Sequence, residues 1–457
     1  MRALALIDGE HYPPVIRHAL DVLTNTEGLE FVGAVFLGGT EKLKTSDALA
    51  ALGLPIVHEP VLLRGVERGL AEYRPEVVID LSDEPITGYA ERFTYAAAAL
   101  AAGAAYRGAD FEFRPPRFER VTNRPSLAVF GTGKRIGKTA VSGYLARWLR
   151  DQGLTPVVVA MGRGGPETPE IVDGAAQALD VETLLRASRA GRHASSDHFE
   201  NALLSRVTAV GSRRCGGGLA GAPYVSNVVE AGRIADRLAP RAILFDGSGA
   251  AIPPVAVDRR VLVMGAHQKL DTLCSYFGPY RIRIADVVLL TMCEEPLADA
   301  ARIAAIRTAV ASIQPRARCI ETVFRPRPWF SGSLAGRRVF LALTAPESMG
   351  ATLASHLERA YGLTVIGVTH ALADRQRLRE DLARGLAAHP DVVLTEIKAA
   401  SIDVVAEVAT QAGVQVGFLD NIPVARDASV DLDAWLADAL DLEPLRQRVA
   451  LDASERS

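Results

Sequence analysis

Short apolar runs alternate along this chain with stretches whose apolar positions recur every third or fourth residue, the pattern of buried strands joined by amphipathic helices. In a first block the pattern predicts strands over residues 3–8, 31–37 and 77–81, with helices over 14–23 and 89–102. A second block predicts strands over 126–130, 156–160, 242–245, 261–264, 285–290 and 320–324, each a continuous apolar run of the kind that helices cover on both faces. A third returns to short units, with strands over 340–343, 365–368, 392–394 and 415–418 and helices over 351–361 and 402–411. Strands alternating with helices imply an α/β fold built on mostly parallel sheets. Arg114-Pro115-Pro116-Arg117-Phe118-Glu119-Arg120 and Arg325-Pro326-Arg327-Pro328 break the pattern and read as linkers. They divide the chain into an N-terminal domain over 1–118, a central domain over 119–328 and a C-terminal domain over 329–457. The tail from about residue 449 is polar and expected to fray.

Composition narrows the class. At 457 residues the chain is longer than one core usually serves, and 49% hydrophobic with 23% charged residues describes an ordinary folded protein. A net charge of −3 argues against a general nucleic-acid surface while allowing a local basic pocket. The four cysteines, Cys215, Cys274, Cys293 and Cys319, are scattered, which supports neither a zinc knuckle nor a disulfide frame. The opening strand is too short for a secretory leader, and no run of about 18 apolar residues offers a membrane span. These features lead us to expect a cytoplasmic protein without nucleic-acid or membrane partners; a homodimer is admitted but not specified.

The densest chemistry lies in Phe130-Gly131-Thr132-Gly133-Lys134-Arg135-Ile136-Gly137-Lys138-Thr139, where a buried strand meets a helix. Gly131, Gly133 and Gly137 free the backbone to turn its N–H groups on an anion at a helix N-terminus. Lys138 adds a point charge for β/γ-phosphates and Thr139 a hydroxyl for Mg²⁺, with Thr132, Lys134 and Arg135 completing the segment expected to hold ATP. The strict phosphate-loop pattern wants glycine where Thr132 stands. Gly-Thr-x4-Gly-Lys-Thr resembles instead the loop of dethiobiotin synthetase and the cobyrinic acid amide synthases. The resemblance implies ATP used to phosphorylate an oxyanion that then reacts further.

A second Mg²⁺ anchor is required, and Asp246 closes the apolar run Ala242-Ile243-Leu244-Phe245 before the sharp Gly247-Ser248-Gly249 turn. The matching segment of dethiobiotin synthetase carries Glu, so Asp246 resembles its equivalent with a shorter arm. In Met161-Gly162-Arg163-Gly164-Gly165-Pro166-Glu167-Thr168-Pro169-Glu170, Arg163 suits a phosphate and Glu167 Mg²⁺ or its waters, although a solvated turn would look the same. Asp197 and Glu200 open a helix, where capping alone explains them, and His198 between them is a candidate acid–base group or a structural histidine. Arg213 and Arg214 precede Cys215-Gly216-Gly217-Gly218, forked donors beside bare backbone that suit a multiply charged phosphate substrate if the segment is not a plain surface loop. Residues 291–296 and 325–328 follow strands where a nucleobase could pack. Asp8-Gly9-Glu10-His11-Tyr12 and Gly38-Gly39-Thr40-Glu41-Lys42 end strands of the first block, where a small-molecule crevice could form. Glu396, Lys398 and Asp420-Asn421 stand at strand ends of the third with no motif to assign them.

From near the N-terminus to about residue 425 the chain resembles the cyclic 2,3-diphosphoglycerate synthetase family. The carriers are Leu6 to Tyr12, Gly38 to Lys42, Gly131 to Thr139, Met161 to Glu170, Arg213 to Gly221, Asp246 to Gly249, Gly278-Pro279-Tyr280-Arg281 and Leu394 to Ala399. The resemblance implies a P-loop nucleotide-binding domain between two smaller α/β domains. It also implies the reaction of 2,3-bisphosphoglycerate with ATP to give the cyclic product, ADP and phosphate. Lys138, Lys134, Arg213, Arg214 and His198 are then the expected catalytic groups. Two alternatives stay open: a P-loop kinase or synthetase for another anionic metabolite, and a nucleotide-driven switch or metallochaperone.

Overall fold

The apolar runs of the first block become strands β1 (Arg2–Ile7), β2 (Glu30–Phe36), β3 (Ile56–His58), β4 (Val77–Asp80), β5 (Ala105–Arg107) and β6 (Glu112–Phe113) in a computed structural model that describes residues 1–43, 48–177 and 179–441. The tail expected to fray lies outside the described residues. These six strands form one sheet in the order β3-β2-β1-β4-β5-β6, parallel except for β6. The chain leaves β1 for β2 and β3 on one side and reaches β4 on the other, so the switch point lies between β1 and β4. Helices α1 (Pro13–Glu27), α2 (Leu62–Tyr73) and α3 (Tyr89–Ala101) accompany the sheet. Prolines at the first positions of α1 preset its backbone, and Gly28 ends it at a φ of 66°. The sequence pattern misses α2 because glycines stand on its packed face: Gly65, Val66, Gly69 and Leu70 are the buried positions. This sheet, with Gln268–Ile284 and Thr308–Ala317, makes up one compact unit.

The second unit comprises Phe118–His267, Ala285–Arg307 and the chain from Arg318 onward. Its strands are β7 (Ser126–Gly131), β8 (Pro156–Gly162), β9 (Glu170–Asp173), β10 (Thr208–Cys215), β11 (Val225–Ser226), β12 (Ala242–Asp246), β13 (Arg259–Gly265) and β14 (Val287–Thr291). They continue as β15 (Arg318–Trp329), β16 (Arg338–Ala342), β17 (Thr364–Thr369), β18 (Val392–Glu396) and β19 (Gln415–Ala425). All thirteen belong to one sheet, ordered β11-β10-β8-β12-β7-β13-β14-β15-β19-β18-β16-β17 with β9 beside β10. The run from β10 to β15 is parallel, β19 turns antiparallel against β15, and β16 to β19 are parallel among themselves.

The linker expected at Arg325-Pro326-Arg327-Pro328 is therefore strand. Residues 322–329 pair with β19, whereas β14 pairs only with residues 318–321. Beyond that point one edge of β15 has no partner strand among the described residues, and alternate positions need no N–H, which is where prolines are tolerated. Long β15 thereby fuses the second and third sequence blocks into one sheet. The core is shared as well: Leu127, Val129, Leu145, Trp148, Leu244 and Val263 cluster with Ile397, Phe418 and Leu436. Fully burying each such side chain is worth about 1.5–3 kcal/mol, so this common core is substantial. Helices α4 (Lys138–Asp151), α5 (Val181–Arg189) and α6 (Asp197–Ser205) lie over it, and α4 and α6 pack on each other.

Candidate active site

β7 is buried throughout and delivers the loop at its C-terminal end to the first turn of α4. Gly137 caps that helix in the left-handed region at φ 80°, and a Cβ there would stand 2.0 Å from the Phe324 ring. Only glycine fits both conditions. The Ile136 carbonyl accepts from the Thr291 hydroxyl at 2.8 Å and the Ile136 side chain is buried, so the loop is pinned from β14 while Lys134 and Arg135 stay exposed. Thr132 donates its N–H to the Val263 carbonyl at 3.2 Å.

Lys138 and Asp246 meet at 2.8 Å, the lysine nearly buried and the aspartate wholly so at the end of β12. Burial pushes the Asp246 carboxyl above its ordinary range, and Asp197 adds to this while the Lys138 ammonium opposes it. Asp246 Oδ2 and the Ser142 hydroxyl on α4 are both buried and near each other without making a well-formed hydrogen bond, and the serine's proximity eases the carboxylate's charge slightly. Thr139 donates to Asp197 Oδ1 at 3.2 Å. Lys398, from the turn after β18, donates to the same oxygen at 3.3 Å and also to Glu200. One ammonium thus serves two carboxylates. Burial alone would raise Asp197, but the Lys398 and Lys138 charges carry it below its usual value. Burial pushes Glu200 up to about 7, with the Asp197 charge adding to the shift and Lys398 opposing it. The Lys398 ammonium is held above its ordinary value because its two carboxylates outweigh burial.

Beside this cluster, the turn after β12 carries Gly249 at φ 59°, where a Cβ would lie 2.5 Å from an Arg163 guanidinium nitrogen. Arg214 donates to the Ser248 carbonyl at 2.8 Å and to the Gly216 carbonyl at 3.0 Å, leaving Nε buried and unpaired. Burial, then the Arg163 charge, lowers its affinity for a proton. Two guanidinium groups so converge on the turn that follows Asp246, an arrangement that favours an anion between them.

Three expected site residues are placed differently. Arg213 and Arg214 are neighbours on β10, and the strand's period of two turns them apart: Arg213 donates to the Gly165 carbonyl at 3.1 Å and is exposed. The segment is strand up to Cys215, where the sequence suggested a loop. His198 is buried, with Nδ1 3.0 Å from the Ser196 hydroxyl and Nε2 3.1 Å from Glu170. Nε2 ties β9 to α6 while Nδ1 stays with the residue that opens α6, so both ring nitrogens have partners within the fold. Glu167 is exposed; its carbonyl accepts from Asn227 at 2.8 Å, and no hydrogen bond joins its carboxylate to Thr139 or Asp246.

Conversely, Asp197, Glu200 and Lys398 enter the cluster although the sequence left them as helix caps or unassigned. Ser196 precedes α6 without a side-chain cap, and the two carboxylates turn to Thr139 and Lys398 instead. Asp420 bridges Arg147 of α4 at 3.0 Å and Arg327 of β15 at 2.9 Å. Glu396 accepts from the Thr344 N–H and from Asn421, each at 2.9 Å, so these strand-end polar groups brace the shared sheet. Cys293, Glu294, Glu295, Arg325 and Arg426 line a cavity of about 350 Å³ in which Glu294 pairs with Arg325 at 2.8 Å. In the other unit, at the β1/β4 switch point, Asp8 accepts from the Asp83 N–H at 2.6 Å and pairs with His11 at 2.8 Å.

Among the described residues no helix is long and apolar enough to cross a membrane. Family models match nearly the whole chain: the cyclic 2,3-diphosphoglycerate synthetase N-terminal domain over residues 2–114, its P-loop domain over 126–323 and its C-terminal domain over 331–422. The cyclic 2,3-diphosphoglycerate synthetase of Rubrobacter xylanophilus is 51% identical over 425 residues, covering 93% of this chain and 95% of that protein. That of Methanothermus fervidus is 43% identical over 435 residues, covering 94% of each. Among solved structures, LpxK from Aquifex aeolicus in complex with ATP is 16% identical over 73% of this chain and 90% of its own, at a TM-score of 0.40, too remote to bear on the chemistry.

Proposed function

The chain belongs to the cyclic 2,3-diphosphoglycerate synthetase family, and from that membership we propose that it closes 2,3-bisphosphoglycerate into its cyclic diphosphate at the expense of ATP. The observation that carries the reading is the convergence of Arg163 and Arg214 on the Gly249 turn, directly after the aspartate that pairs with the phosphate-loop lysine. A nucleotide cradle alone needs no second basic site beside it.

Ring closure requires one phosphate to become a good electrophile. The γ-phosphoryl group of ATP passes to an oxygen of one substrate phosphate, forming a phosphoanhydride and ADP. An oxygen of the neighbouring phosphate then attacks that substrate phosphorus, and the P–O bond to the transferred group breaks. Inorganic phosphate leaves, and the two substrate phosphates stay joined through one oxygen. Holding both phosphates together contributes several kcal/mol, on the order seen for oriented intramolecular reactions. Lys138 leaves Asp246 for the nucleotide phosphates, Lys134 adds charge at the loop's mouth, and Arg163 and Arg214 offset the substrate's charge as the two anions approach.

The donor set fits Mg²⁺: the Thr139 hydroxyl, the Asp246 carboxylate and the Asp197 carboxylate are hard oxygens within one cluster. Among the described residues no three His, Cys, Asp or Glu side chains are grouped to hold a metal, so nucleotide phosphates and water would have to supply the remaining ligands. When bound it would neutralise charge on the β- and γ-phosphates.

Phosphate release from ATP tests the reading against a nucleotide-driven switch. Turnover should be negligible until 2,3-bisphosphoglycerate is added, and should then rise with its concentration to saturation. Steady hydrolysis that ignores the bisphosphate would contradict it.

A further inference from the structure

The turn after β18 is built to place one ammonium. Lys398 N–H returns to the Glu396 carbonyl at 3.0 Å, the Lys398 carbonyl accepts from Ser401 at 2.9 Å, and Ala399 takes a left-handed φ of 46°. A non-glycine residue there carries backbone strain. The Ala399 carbonyl is tied to Ser195 just ahead of α6 at 3.0 Å, and a π-helical turn, Ser401–Ala406, follows, a device common at functional sites. The result is Lys398 lying against Asp197 and Glu200, the first of which holds the Thr139 hydroxyl.

We propose that Lys398 is a positioning residue for phosphoryl transfer: it fixes the Asp197 carboxylate against phosphate-loop Thr139 and offsets two carboxylates that would otherwise repel the incoming nucleotide. Without it, Asp197 and Glu200 would each lose the ammonium they now share. This assigns the third sequence block a direct part in the chemistry, and it rests on the ATP-dependent reading above.

The test compares Lys398→Met, Lys398→Arg and the double variant Glu200→Gln/Lys398→Met with the parent protein. Four quantities are read: Mg-ATP affinity by calorimetry, kcat, KM for 2,3-bisphosphoglycerate, and the thermal unfolding midpoint. Lys398→Met should weaken Mg-ATP by about tenfold and lower kcat by at least as much, with KM for the bisphosphate changed less than threefold. Lys398→Arg should recover part of both losses. The double variant removes one of the two stranded charges, so its unfolding midpoint should return towards the parent's while kcat stays low, which also covers the case in which the single variant folds poorly. Parental affinity and kcat in Lys398→Met would overturn the proposal. So would a double variant in which kcat recovers together with the midpoint, because Lys398 would then only balance charge in the fold. A parent that binds Mg-ATP but does not turn over the bisphosphate would instead remove the substrate reading, and the Mg-ATP comparison would still judge Lys398.

Discussion

Lys138, Thr139 and Asp246 were legible because each sits at a fixed place beside a strand end, and strand ends can be read locally. Lys138→Ala removes the ammonium that Asp246 now holds at 2.8 Å, and turnover should fall about a hundredfold or more. Near-parental turnover would show that the phosphate loop is misassigned. Asp246→Asn keeps the shape but weakens a hard anionic ligand, so the Mg²⁺ concentration giving half-maximal rate should rise; an unchanged titration would take Asp246 out of the metal's shell. Arg214→Ala should raise KM for the bisphosphate about tenfold or more while leaving Mg-ATP affinity alone, each charge-assisted contact being worth about 1.5–3 kcal/mol. Arg213→Ala should do much less, because Arg213 points to Gly165 on the other face of the strand. Equal effects from the two arginines would contradict that division. Glu200 was not legible as a site residue, since its lysine partner lies 198 positions away. Burial, with Asp197 alongside, lifts its carboxyl from 4.5 to about 7, so the folded chain holds that proton more tightly than the unfolded one. The stability this gives is complete below about pH 4.5 and is lost as the pH rises through about 7. Glu200→Gln should flatten the dependence of the unfolding midpoint on pH in that window, and an unchanged slope would contradict the burial argument.

Among the elements, strands such as β7, β8, β12 and β14 were found to within a residue or two because both faces are covered and the apolar run is uninterrupted. β10 was hidden: Gly211, Arg213 and Arg214 look like loop, and pairing with β8, β9 and β11 makes them strand. Residues 325–328, read as an irregular linker, are strand for a related reason: proline reports a missing N–H and says nothing of whether that edge needs one, although the family's P-loop and C-terminal domains do meet between residues 323 and 331. Gly137→Ala tests how tightly the phosphate loop is specified. A methyl at φ 80° and against Phe324 should weaken Mg-ATP binding at least tenfold, whereas ordinary affinity would show that the loop adapts freely. His198→Asn should separate fold from chemistry. Losing the contact to half-buried Glu170 should lower the unfolding midpoint by a few degrees, with kcat within about threefold of the parent. A collapse of kcat at unchanged stability would return His198 to the reaction.

For the whole molecule, the alternation of strands and helices was enough to give the α/β class, while the central P-loop domain came from the phosphate-loop motif and the family resemblance. The pattern did not show that one thirteen-stranded sheet runs through both the central and the third blocks, because β15 to β19 pairing joins residues that are far apart in sequence. That continuity explains how Lys398 stands beside Thr139, through Asp197. It also explains why Ile397 and Phe418 share a core with Leu145 and Trp148. Leu145→Ala, at the centre of this core, should cost about 2–5 kcal/mol and destabilise both blocks in a single transition; two separate transitions would contradict a common core. The central claim, that ATP drives closure of a diphosphate ring, is tested most directly by ³¹P NMR of the protein with ATP, Mg²⁺ and 2,3-bisphosphoglycerate. The account predicts that both phosphomonoester signals of the substrate disappear together and are replaced by phosphoanhydride signals, with one ADP and one inorganic phosphate formed per substrate consumed. ADP and phosphate accumulating while the substrate signals persist, or an acyclic product retaining all three phosphoryl groups, would contradict it.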